Sequence, residues 1–163
     1  MEHQPEKLTF TNEEFNSIRE KAEASYKGIG SVHCPYFQEK VNFNTEGLEH
    51  IKFKAWNKAR SQRDQFMRLK LIQLAPEVLK SSRTLQGIYE TKVPIRRKRH
   101  GQWEAVFTTV TYYEFIAVLN SRRVKVIVKQ ILGGEKFFWT MIPFWRMDTF
   151  NRRILHSGNP EVD

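Results

Sequence analysis

The sequence predicts an α+β domain in which N-terminal helices pack on one face of a roughly five-stranded antiparallel sheet. Three observations carry that expectation. Between Tyr112 and Ile142, three runs rich in Val, Ile, Phe and Tyr are separated by Asn120-Ser121 and by Gly133-Gly134, pairs that tolerate positive φ and mark tight hairpins. Upstream, stretches near 12–27 and after Ser61 carry helical apolar spacing, each behind a capping residue. A two-residue loop at each hairpin also gives both hairpins the same division of side chains between the two faces.

On that register Leu119 faces Arg122, Tyr112 faces Lys129, Lys129 faces Phe138 and Ile127 faces Thr140. One face collects Tyr113, Phe115, Ala117, Leu119, Val124, Val126, Val128, Phe137, Trp139 and Met141, all without charge. It is the expected core. The other collects Tyr112, Glu114, Ile116, Lys125, Ile127, Lys129, Phe138, Thr140 and Ile142, where ammonium groups, a carboxylate and hydroxyls stand together. It is the expected functional face.

Taken in order, residues 1–10 are polar and read as a flexible N-terminus. Thr11 or Asn12 caps a helix over about 12–27, with Glu13 and Glu14 in the first turn and Gly28 or Gly30 at its end. Lys40 to Asn44 alternates as a short strand, after which Asn44 or Thr45 caps a short helix bearing His50. Ser61 caps the next helix, which Pro76 interrupts. Between Phe66 and Ala75 it is apolar on nearly all sides, Arg68 and Lys70 excepted, and is the expected partner of the apolar sheet face, while Arg60, Arg63 and Arg68 cluster toward its beginning, where backbone N–H groups and the helix dipole favour an anion. Thr84 to Lys92 and Trp103 to Thr111 read as strands. Between them Arg96, Arg97, Lys98 and Arg99 repel one another, which favours an exposed loop. A single domain is expected over 11–150 and a C-terminal tail over 151–163; the aromatic stretch beyond Pro143, with Phe144, Trp145 and Phe150, is expected to pack back on the domain before the chain frays near Ser157.

The chain has 163 residues and 27 Lys and Arg against 18 Asp and Glu. A charge of +9 favours an anionic partner such as nucleic acid or an acidic protein. Cys34 is the single cysteine, so neither an intrachain disulfide nor a zinc spacing is available, which suits a reducing compartment. With no leader pattern and no apolar run long enough to span a bilayer, the expected location is cytoplasmic. The phosphate-binding glycine motifs, HExxH and CxxC are absent, and no cofactor or metal is implied.

The segment VNFNTEGLEHI with His50, the strand RVKVIVKQI with Lys129 and the strand FFWTMIPFWR with Thr140 together resemble the barnase, EndoU, colicin and RelE superfamily of small ribonucleases, in its phage-associated branch. The resemblance implies a RelE- or barnase-like fold and metal-independent RNA cleavage, in which the 2'-hydroxyl attacks the adjacent phosphate and leaves a 2',3'-cyclic phosphate. It implies His50 as base or acid, Lys129 and Arg60 as holders of the phosphate, Thr140 as a donor to it, and Glu114 as an alternative base or a group that orients Lys129. Arg63, Arg96, Arg97, Lys98, Arg99, Lys125 and Tyr112 are the expected contacts to the nucleic acid, and in a non-catalytic binding module Tyr112 and Phe138 stack on bases. Two other readings stay open on the sequence alone. One is a non-catalytic RNA- or DNA-binding module. The other is a basic protein-interaction domain that meets an acidic partner such as an inhibitor.

Overall fold

The computed structural model describes residues 9–55, 58–144 and 159–163. Helix α1 (Asn12–Lys27) begins at a reciprocal capping box, in which the Thr11 side chain accepts from the Glu14 N–H and the Glu14 carboxylate accepts from the Thr11 N–H. Strands β1 (Ser31–Cys34) and β2 (Glu39–Asn42) form a short hairpin, and α2 (Thr45–Lys52) follows under an Asn44 cap. A small two-stranded pair, β3 (Phe53–Ala55) with β4 (Lys58–Ala59), leads to α3 (Gln62–Leu71), capped by Ser61. One turn of 3-10 helix (Ile72–Leu74) joins α3 to α4 (Ala75–Ser81), which has Pro76 in its first turn.

The four remaining strands are β5 (Gly87–Arg99), β6 (Gln102–Leu119), β7 (Arg122–Ile131) and β8 (Lys136–Phe144). The fold is therefore α+β, with a mostly antiparallel six-stranded sheet ordered β1-β2-β8-β7-β6-β5. The additional strands come from the β1-β2 hairpin, whose single parallel contact pairs Asn42 with Phe137. Residues 103–119 form one long strand instead of two. Among the described residues no helix is long and apolar enough to cross a membrane.

The β6-β7 turn holds Asn120 at φ 50 and Ser121 at φ 61, a primed hairpin that matches strand twist, and Leu119 pairs with Arg122 as expected. The β7-β8 pairing departs from the expected register. Lys125 pairs with Ile142 and Ile127 with Thr140, but then a bulge intervenes, and Val128 pairs with Phe138 and Lys129 with Phe137. Trp139 is the extra residue. A bulge changes which side chains share a face, so Phe138 turns into the core beside Tyr26 and Phe43. Phe137 and Trp139 instead join Val110, Tyr112, Ile127 and Ile142 in a second cluster on the opposite face.

All helices contribute to the main core on the other face, through Phe15, Tyr26, Leu48, Ile51, Phe66, Leu69 and Val78 against Phe115, Val126 and Met141. Phe10 is stacked on Phe66 at a ring separation of 4.2 Å. The basic run is not a loop. Arg96, Arg97, Lys98 and Arg99 complete β5, paired with Ala105, Glu104, Trp103 and Gln102 of β6. The turn between the strands is His100-Gly101, at φ 50 and φ 81. The aromatic stretch from Trp145 to Phe150 lies outside the described residues, whereas residues 159–163 sit against the sheet, with Pro160 and Asp163 buried.

Candidate active site

Helix α2 reaches the edge of β8 because one of its residues has no side chain. A Cβ on Gly47 would lie 2.3 Å from the Phe138 carbonyl oxygen and 2.7 Å from the Tyr26 hydroxyl, so only glycine permits this approach. Tyr26 fixes the start of the same helix by donating to the Asn44 carbonyl at 2.7 Å. We expect Gly47→Ala to destabilise the fold by about 1–3 kcal/mol by forcing α2 off the strand. Thermal unfolding checks this, and an unchanged Tm would show that α2 can shift without loss.

One turn further on, His50 is buried and stacks on Trp139, with centroids 4.0 Å apart and planes at 25°. The bulge that turned Trp139 away from the core thus supplies the floor of the site. Lys129 approaches the same indole, its Nζ 3.7 Å from the ring centroid, a cation–π contact strengthened by desolvation. Arg60 donates through Nε to the His50 carbonyl at 2.9 Å, and its Nη2 lies 3.4 Å from Nδ1 and 3.5 Å from Nε2 of the imidazole.

Asp64 links the arginines. Its carboxylate accepts from Arg68 Nε at 2.8 Å and stands 3.5 Å from Arg60 Nη1. Arg68 is fully buried, and its Nη1 donates to Thr140 Oγ1 at 2.7 Å and to the Met141 carbonyl at 3.3 Å. Thr140 keeps its own O–H to donate elsewhere. Among the described residues, two buried polar atoms have no hydrogen-bond partner, Arg68 Nη2 and the Tyr112 hydroxyl. Such orphans are costly, and Arg68 Nη2 belongs to the cationic cluster that Asp64 links.

Residues 159–163 cover the cluster. Trp139 Nε1 donates to the Pro160 carbonyl and His50 Nε2 lies against the Glu161 carbonyl, each at 2.9 Å. A carbonyl only accepts, so Nε2 carries the imidazole proton. The Glu161 carboxylate pairs with Lys129 Nζ at 3.2 Å. Burial and then the Arg60 charge hold His50 down to about 3, with Arg68 and Lys129 adding to the effect and the Glu161 carbonyl opposing it. It is a neutral imidazole at physiological pH. Burial also pushes Lys129 down to about 8 and Glu161 up to about 7, so desolvation outweighs their ion pair.

His50, Arg60, Lys129 and Thr140 therefore come together around Trp139 and Arg68. Glu114 does not join them. It pairs with Lys125 at 3.3 Å, while Lys129 takes Glu161. Lys125 is buried, and Tyr112 is fully buried, so its ring cannot stack on a base. Arg63 is exposed on α3, and the basic run from Arg96 to Arg99 is exposed at the tip of the β5-β6 hairpin, away from this site along β6. Trp139 and Glu161 are participants that sequence reasoning did not assign; of the expected anion-favouring cluster Arg60, Arg63 and Arg68, the first and last enter the site and Arg63 does not. For Arg68 a further signal was available, since Arg60, Asp64 and Arg68 succeed one another at four-residue spacing. Comparison of the chain with protein-family models, curated proteins and solved structures returned no match.

Proposed function

We propose that the chain is a metal-independent endoribonuclease with a RelE- or barnase-like arrangement, cleaving RNA by 2'-hydroxyl attack to leave a 2',3'-cyclic phosphate. The observation that carries this reading is a neutral imidazole, two guanidinium groups and an ammonium group converging on one desolvated site in which Arg68 Nη2 has no partner among the described residues. Arg60, Arg68 and Lys129 outnumber Asp64 by two charges, and it is Glu161 and Asp163 of the covering segment that offset them. An RNA phosphate that takes the place of Glu161 on Lys129 would meet the same cations.

In this reading, the 2'-oxygen attacks phosphorus and its proton passes to His50, whose neutral form is secured by burial and by its cationic neighbours. The phosphate's negative charge then favours the imidazolium that forms. Arg60 and Arg68 stabilise the charge that develops on the phosphorane, with the Thr140 hydroxyl donating to one of its oxygens. The P–O5' bond breaks as the Lys129 ammonium gives a proton to the leaving oxygen.

The test is incubation of the purified protein with structured and unstructured RNAs in excess EDTA, reading product ends for cyclic phosphate. Because Lys129 must be protonated to act as acid and burial sets its pKa at about 8, kcat/KM should fall as pH rises through about 8. It should show no second limb near the ordinary histidine value, since His50 is already neutral there. Products ending in 3'-hydroxyls, or an absolute need for a divalent ion, would overturn the assignment. An acidic inhibitor protein would meet the same cations by the chemistry Glu161 already uses within the chain.

A further inference from the structure

We infer that the projecting β5-β6 hairpin is a platform for single-stranded RNA, on which bases stack against Trp103 and Phe107 while Arg96 and Lys98 hold the phosphates. Strand β7 stops at Ile131, paired with Val110, and the Leu132 N–H bonds to the Thr109 carbonyl at 2.9 Å. Beyond that point β5 and β6 continue alone to the His100-Gly101 turn. The eight residues from Gln102 to Thr109 carry the ribbon roughly 27 Å past the rest of the sheet. Its strands, residues 92–109, hold five Lys and Arg against the single carboxylate of Glu104, a net of plus four.

Cross-strand partners share a face. One face of the ribbon carries the pairs Pro94 with Phe107, Arg96 with Ala105 and Lys98 with Trp103; the other carries Ile95 with Val106, Arg97 with Glu104 and Arg99 with Gln102. The two differ in exposure. Val93, Glu104, Val106 and Thr108 are half-buried, whereas Trp103 is 65 % and Phe107 74 % exposed. A polar arm does not need two large rings in water, and their interleaving with Arg96 and Lys98 matches the chemistry of base stacking beside phosphate contacts.

Stacking selects the partner's form. In a duplex the base faces are covered by one another, and the major groove of A-form RNA is too deep and narrow for side chains to read. Single strands present free faces. The choice of RNA over DNA rests on the ribonuclease reading; the binding itself does not.

The experiment measures affinity of the full chain for a labelled single-stranded RNA of about a dozen nucleotides, 2'-O-methylated so that no attacking hydroxyl is present and cleavage cannot enter. Trp103→Ala and Phe107→Ala should each weaken binding by roughly five- to a hundredfold, without altering the circular dichroism of these exposed-site variants. Arg96→Ala with Lys98→Ala should lower the slope of log K against log salt by about 1.4, two single-strand contacts. Arg97→Ala with Arg99→Ala, on the other face, should lower it less.

Wild-type affinity in both aromatic variants would overturn the platform. So would equal affinity for duplex RNA or duplex DNA, or displacement by polyglutamate as effective as by unlabelled RNA, which would mark the arm as a site for an acidic protein. Binding is read on the uncleavable RNA and cleavage on unmodified RNA, so failure of the nuclease reading and failure of the platform are separately visible.

Discussion

Asp64→Ala destabilises the protein by about 3–5 kcal/mol, because it leaves two buried guanidinium groups without their shared counter-charge. Arg60 and Arg68 expose 1 % and none of their side chains, and Asp64 stands between them with 16 % exposed. Burial and then the charge of Arg68 already depress Arg60 to about 10, with Asp64 opposing both. A guanidinium cannot escape by losing its proton at neutral pH, so the penalty falls on the fold or draws water into the core. Asp64→Asn separates charge from hydrogen bonding: it keeps an acceptor for Arg68 Nε but not the charge, and should recover only part of the loss. Urea unfolding of the two variants measures both effects. A loss below about 1 kcal/mol in Asp64→Ala would mean that surface-like screening governs the cluster, with Glu161 and Asp163 supplying enough charge by themselves.

The network explains why the candidate site was only partly legible. Helices were readable because each start has a local chemical cause: Thr11, Asn44 and Ser61 all accept from the N–H three residues on. The β6-β7 register was readable because Asn120-Ser121 fixes both loop length and twist. In β8 no residue marks the bulge, since FFWT is apolar and bulky throughout, and the choice of Trp139 as the extra residue answers to tertiary packing with His50 and Tyr112. One slipped residue exchanged Phe138 for Phe137 and Trp139 between faces. The basic run was misplaced because charge repulsion was weighed above the His100-Gly101 turn, whose flanking strands pair in full register from Arg99 with Gln102 onward. Glu161 had no local signal at all. It is 32 residues from Lys129 and 111 from His50, and only folding brings them together.

In the last prediction, His50→Ala lowers metal-independent cleavage by at least about a hundredfold and within the ~100- to ~10,000-fold range of a lost acid or base, while RNA affinity stays near the wild-type value. Affinity survives because the phosphate would be held by Arg60, Arg68 and Lys129, and the bases by an arm formed by other strands. Stability will not be wholly unaffected, since the imidazole is buried and stacked at 4.0 Å on Trp139; truncation opens a cavity beside the indole. His50→Gln is therefore the companion variant. Its amide can donate to the Glu161 carbonyl, as Nε2 does now, and fill much of the space, yet it cannot take a proton from the 2'-hydroxyl. If both variants fold and bind RNA but cleave poorly, the defect belongs to proton transfer. If His50→Gln cleaves at the wild-type rate, the ring serves only to brace Trp139 and Arg60, and the base must be sought elsewhere. Glu161, pushed up to about 7 by burial and by Glu46, would be the group to replace next.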